Sequence, residues 1–86
     1  MLQIAIAEDE AAARATLKEY LERWQAESGQ AVQAAFFESG TQLLEAVPQG
    51  LQLALLDIQM PGLTGMETAR RLRQQLPEVE LVFITS

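Results

Sequence analysis

Leu53-Ala54-Leu55-Leu56-Asp57-Ile58-Gln59-Met60-Pro61-Gly62-Leu63-Thr64-Gly65 is the stretch on which the reading of this chain turns. Four apolar residues read as a buried strand that delivers one carboxylate, Asp57, to its C-terminal end. One proline and two glycines then turn the chain before a helix. In open α/β sheets, ligand chemistry gathers at the carboxyl ends of the strands. A carboxylate held there is a candidate nucleophile or metal ligand, although an aspartate ending a strand also commonly serves only to start a turn.

Working outward, strand and helix patterns alternate with no linker and no internal repeat. Leu2 to Ala7 reads as a first strand and ends in Glu8-Asp9-Glu10. Ala13, Leu17, Tyr20, Leu21 and Trp24 then fall on one helical face, which marks them as core. Ser28-Gly29-Gln30 ends that helix, and Ala31 to Phe37 is a second apolar run of strand length. Ser39 with Gln42 three residues on has the capping-box pattern, opening a short helix through Leu43, Leu44 and Val47 that stops by Pro48.

After the Asp57 strand, Thr64 and Glu67 form a second capping box. It opens a helix whose apolar face is expected at Met66, Ala69, Leu72 and Leu76; Leu81 to Thr85 is the last strand. Continuous apolar strands, rather than alternating ones, are what burial on both faces of a parallel sheet requires. The order βαβαβαβ gives an α/β fold with a doubly wound parallel sheet.

Composition narrows the chemistry. The 86 residues form one small domain, 49% hydrophobic and 21% charged, with neither cysteine nor histidine. Disulfides, thiolate metal sites, histidine ligands and Ser-His-Asp catalysis are therefore excluded. A net charge of −6 argues against direct nucleic acid binding, which is built on Lys/Arg neutralisation of phosphates. The small cluster Arg70, Arg71 and Arg73 reads as a solvated helix face. No apolar run approaches the roughly 20 residues needed to span a bilayer and no leader is visible. The expectation is a cytoplasmic protein with no membrane contact.

Strand one ends in Glu8-Asp9, strand three in Asp57 and strand four in Thr85-Ser86. In a parallel sheet with helical crossovers these ends share one edge. If strands one and three are neighbours, their carboxylates converge. Three acids held close repel, so without a cation at least one has a raised pKa. Carboxylates with a backbone carbonyl and waters suit Mg²⁺. Taken singly, the acids before the first helix also have a plain role in stabilising its N-terminus.

Together these residues resemble the response-regulator receiver domain of two-component signalling. The resemblance covers residues 1–86 and rests on the acidic pair after strand one, Asp57 with Met60-Pro61-Gly62 and Gly65 after it, and a hydroxyl residue ending strand four. Phe37-Glu38-Ser39-Gly40 and the segment from Asp57 to Gly62 look most like receivers of the LytR/AlgR type. The resemblance implies a flavodoxin-like strand order of 2-1-3-4 and a phospho-acceptor rather than a turnover enzyme. Asp57 would accept a phosphoryl group from a phosphohistidine on a sensor histidine kinase. Asp9, Asp57 and the backbone carbonyl of Gln59 would ligate Mg²⁺, with Glu8 acting through water. Thr85 would be the switch hydroxyl, and the small Ser86 beside it would leave room for the phosphoryl group.

The chain departs from the family after strand four. The lysine of the family's fifth strand has no counterpart, since the only lysine, Lys18, lies in the first helix. The expectation is a receiver truncated before the fifth strand and final helices, with weakened phosphorylation. An exposed fourth-strand edge invites pairing with another chain, so a homo-oligomer is expected. An assembly module with vestigial acids is the alternative. A metal-dependent phosphohydrolase fits less well, because Gln59 stands where such enzymes carry a second aspartate. No G-x-G-x-x-G or P-loop pattern follows any strand.

Overall fold

A computed structural model describes residues 1–84. Its elements are β1 (Leu2–Ala7), α1 (Ala11–Ser28), β2 (Val32–Phe37), α2 (Gly40–Glu45), β3 (Leu53–Asp57), α3 (Gly65–Gln75) and β4 (Glu80–Ile84). The four strands form one sheet in the order β2-β1-β3-β4, every pair parallel. The expected doubly wound order 2-1-3-4 is therefore present. Thr85, expected to carry the switch hydroxyl, and Ser86 lie outside the described residues.

The centre of the sheet explains the sequence pattern best. Ile4, Ala5, Ile6 and Ala7 of β1 are all buried, as a strand flanked on both sides and covered on both faces must be. Because successive side chains point to opposite faces, Ala5 and Ala7 join Ala54 and Leu56 of β3 in the core cluster with Leu43 of α2 and Leu72 of α3. Ile4 and Ile6 fill the other face. Each fully buried isoleucine or leucine contributes about 1.5–3 kcal/mol of transfer free energy. Small alanines on the α2/α3 face let those helices approach the strands closely.

Both expected helix starts are present, each in half of its expected form. Ser39 Oγ accepts from Gln42 N at 3.1 Å, but Gln42 Oε1 accepts from Glu38 N, one residue short of the reciprocal capping bond. Thr64 Oγ1 accepts from Glu67 N at 3.1 Å. The Glu67 carboxylate turns instead to Arg70 at 2.7 Å and Arg71 at 3.4 Å. Those pairs sit on an exposed helix face and contribute only a few tenths of a kcal/mol each. Arg70 and Arg71 are thus the solvated cations expected.

Three core assignments are corrected. Tyr20 and Trp24 are 59% and 44% exposed, and α1 has no fully buried residue. Ala13, Leu17 and Leu21 make the half-buried contact with the sheet, while α1 lies against β2 and its apolar stripe is wider than the strip it covers. Met66 is 57% exposed. The buried stripe of α3 is Gly65, Thr68, Ala69 and Leu72. Ala69 and Leu72 face inward as expected and Leu76 packs partly buried against the core, but Gly65 and Thr68 take the place expected for Met66. Close approach sets this choice: a Cβ on Gly40 of α2 would run into the Thr68 side chain, so small residues must face inward and Met66 turns out. Among the described residues no helix is long and apolar enough to cross a membrane.

Candidate functional site

The parallel register sets the site. Ala7 of β1 pairs with Leu56 of β3, so the next residue on each strand, Glu8 and Asp57, emerges at the same sheet edge. Glu8 N donates to Phe37 O at 3.0 Å, carrying the β1–β2 ladder one residue past the strand. Both side chains are sequestered, Glu8 2% and Asp57 1% exposed, whereas Asp9 is exposed. Carboxylate oxygens of Glu8, Asp9 and Asp57 all lie within 4.8 Å of one another.

The loop after β3 is built to hold Asp57 still. Gln59 N donates to Asp57 Oδ1 at 3.2 Å, the local turn in which a short acidic side chain binds backbone two residues on. Ile58 N donates to Ile84 O at 3.1 Å, and Gly65 N returns to Ile58 O at 3.1 Å, closing the loop at its base. Gly62 sits at φ +82°, a left-handed turn that favours glycine. Met60, buried within the core cluster, pins the loop from beneath. Gly65 packs so tightly that a Cβ there would fall on the Asp57 carbonyl oxygen, 2.9 Å from its carbon and 3.1 Å from Ile58 Cα.

Electrostatically the cluster is unsatisfied. Asp57 Oδ2 is buried and finds no hydrogen-bond partner among the described residues. An orphaned charged acceptor of this kind costs more than the 1–3 kcal/mol typical of a neutral one. Burial pushes the Glu8 carboxyl above its ordinary value of 4.5, and proximity to Asp57 and Asp9 pushes the same way. A hydrogen bond from Glu10 N to Glu8 Oε1, at 3.3 Å, opposes the shift without cancelling it. The raised pKa expected for one member of a crowded acid trio therefore belongs to Glu8. Oxygen donors with excess negative charge and free lone pairs are the donor set of a hard divalent cation.

Of the residues named from sequence, Glu8, Asp9 and Asp57 come together, and Gln59 joins them through its N–H. One neighbour is not singled out by sequence. Arg14, in the first turns of α1, donates from its guanidinium to Glu8 O at 2.7 Å and lies 3.6 Å from Glu38. The available signal was that it is the first cation of the chain, six residues past Glu8.

Comparison with known proteins agrees with the geometry. The sequence profile of the response regulator receiver domain matches residues 4–86. The transcriptional activator protein ExaE of Pseudomonas putida is 42% identical over 48 residues, 55% of this chain and 22% of ExaE. A transcriptional regulatory protein of Bacillus subtilis, YkoG, is 39% identical over 49 residues, and the match again spans 22% of its length. The matches thus span about a fifth of the length of these curated relatives. The response regulator TrrA of Thermotoga maritima, solved in complex with Mg²⁺-BeF, superposes with a TM-score of 0.84 at 29% identity over 99% of this chain and 70% of that one. TrrA in complex with the histidine kinase ThkA gives a TM-score of 0.77 at 31% identity over 100% of this chain and 70% of that one.

Proposed function

The chain belongs to the response regulator receiver domain family, and from that premise we propose that Asp57 is its phospho-acceptor, working with Mg²⁺ held by the acidic cluster. The observation that carries this reading is the cluster of Glu8, Asp9 and Asp57 carboxylates at the C-terminal edge of the sheet, with Asp57 Oδ2 buried and unpartnered among the described residues. TrrA, with its Mg²⁺-BeF complex, supports the choice of metal and of phosphoryl ligand.

Asp9 and Asp57 would hold the ion directly with the main-chain carbonyl of Gln59, and Glu8 through water. When bound, Mg²⁺ supplies positive charge where the phosphoryl oxygens develop theirs. The remaining work belongs to the chain's own residues. Gln59 N–H restrains one oxygen of Asp57, and the β3 terminus aims the carboxylate out of the sheet edge. A carboxylate oxygen of Asp57 bonds to phosphorus as the phosphorus–nitrogen bond of a phosphohistidine breaks, and the electron pair returns to the imidazole. Positioning, not strong nucleophilicity, is what such a transfer needs. With no histidine in the chain, the donor belongs to a partner. We place that donor on a cytoplasmic sensor histidine kinase, a reading supported by the complex of TrrA with ThkA.

Thr85 would be the responding hydroxyl. The output would be a change of conformation or of assembly. Exposed Val82 and Phe83 on the edge strand β4 favour self-association as one form of it.

Calorimetric titration with Mg²⁺, with and without beryllofluoride, tests the reading. Binding of the metal, tightened by beryllofluoride and abolished in Asp57→Asn, is expected. Equal binding by Asp57→Asn, or none by the unaltered chain, would sink it.

A further inference from the structure

We propose that Arg14 is the positioning residue of the acidic site: its guanidinium grips the main chain of Glu8 and so fixes where the Glu8 and Asp9 carboxylates stand. This deepens the proposed function and rests on Mg²⁺ binding there. Glu8 O lies just past the end of β1, where the strand has given way to the turn into α1. Its N–H is used by Phe37 O, which leaves the direction of the following peptide to whatever holds the carbonyl. Arg14 Nη1 holds it at 2.7 Å, the short distance of a charge-assisted bond.

The Arg14 side chain is only 20% exposed and runs back over the first turn of its helix. Arg14 N donates to Glu10 O at 3.0 Å, so the same residue closes the first helical turn and reaches back across it to Glu8. Glu8, Glu10 and Arg14 thereby form one small framework: Glu10 N also donates to the Glu8 carboxylate. The other end of the guanidinium, Nη2, meets Glu38 at 3.6 Å, a carboxylate 66% exposed, and a pair so wet contributes little. The Glu8 carbonyl is therefore the contact that matters.

The placement is specific in another respect. Arg14 bonds to a main-chain oxygen, not to a carboxylate of the trio, so it occupies none of the carboxylate oxygens a cation would use. Charge and position then make opposite predictions. By Coulomb repulsion alone, deleting a nearby cation strengthens the binding of a divalent ion. By loss of positioning, deletion weakens it, and partners that orient metal ligands from outside typically change affinity tenfold or more.

The test is Mg²⁺ calorimetry on the full chain with Arg14→Met, Arg14→Lys and Glu38→Gln, alongside thermal melts of each metal-free variant. Arg14→Met is expected to bind Mg²⁺ about tenfold more weakly. Arg14→Lys, which keeps a donor and the charge but not the fork, is expected to restore part of that loss. Glu38→Gln is expected to match the parent. Equal or tighter binding by Arg14→Met overturns the inference while leaving the metal site standing, as does a Glu38→Gln loss equal to that of Arg14→Met. If Arg14→Met fails to fold, Arg14→Lys decides: parental affinity overturns the inference, and weakened affinity in a folded protein supports it. No Mg²⁺ binding by the parent overturns both this inference and the function it rests on.

Discussion

Gly65→Ala puts the packing around Asp57 to its most direct test. The new methyl would lie 2.9 Å from the Asp57 carbonyl carbon and 3.1 Å from Ile58 Cα, against about 3.5–4.0 Å at the optimum for two carbons. Every obstructing atom is main chain, the Asp57 carbonyl oxygen nearest of all, so no side chain can swing aside, and about 1 Å of movement falls on the end of β3 or the start of α3. Overpacking of this kind costs about 1–3 kcal/mol, and a rigid backbone obstacle belongs at the upper end. The greater helix propensity of alanine returns at most about 1 kcal/mol, less at a first helical position. A net loss of about 2–3 kcal/mol follows, which at an m-value of about 1 kcal/mol/M lowers the urea midpoint by about 2–3 M. Because the displaced atoms belong to Asp57, Mg²⁺ affinity should fall with stability. Gly62→Ala is the contrast: nothing lies within 4 Å, but φ is +82°, so it should cost about 1–2 kcal/mol and leave metal affinity alone. Parental stability and parental Mg²⁺ affinity in Gly65→Ala would refute the close contact on which this rests.

Two further outcomes follow from the same structure. The folded protein holds the Glu8 proton more tightly than the unfolded chain, whose value is near 4.5. That contribution to stability is complete below the unfolded value and is lost as pH rises through the higher folded one. Metal-free Glu8→Gln should therefore be more stable than the parent at neutral pH, with the difference vanishing at low pH; urea melts at pH 7 and pH 4 that show no such convergence would count against a buried charge at Glu8. Leu72→Ala, at a fully buried position where α3 meets the core, should cost about 2–5 kcal/mol by denaturant melt, and a loss below about 1 kcal/mol would mean α3 is not docked as described.

Much of this was legible in the sequence, for identifiable reasons. A parallel sheet buried on both faces writes itself as unbroken apolar runs, and Leu53 to Leu56 with Asp57 at the end marks both a strand and its chemical edge. Glu8 and Asp57 converge because the strand order makes β1 and β3 neighbours, which the resemblance implied and the pairing bears out. What the sequence hides is width and proximity. Helical periodicity says which side of α1 faces the sheet, not how many strands lie beneath, so Tyr20 and Trp24 read as core. Hydrophobicity favours Met66 over Gly65 and Thr68 for the inner face of α3, whereas close approach to Asp57 and to Gly40 requires the reverse. Arg14 escapes because a bond to a main-chain oxygen leaves no complementary residue in the pattern.

The adjacency of β1 and β3 also has a kinetic meaning. Asp9 and Asp57 lie about fifty positions apart along the chain, and they meet only after a crossover has closed and two non-local strands have paired. Such pairings are slow to form because loop closure precedes any reward. The acid trio therefore does not exist in the unfolded chain, and a divalent ion finds its ligands only in the native one. At ten times its dissociation constant, a ligand of that kind adds about 1.4 kcal/mol to stability. An ion held as proposed would also keep the sheet from opening at its centre, so magnesium supply and folding yield should rise together.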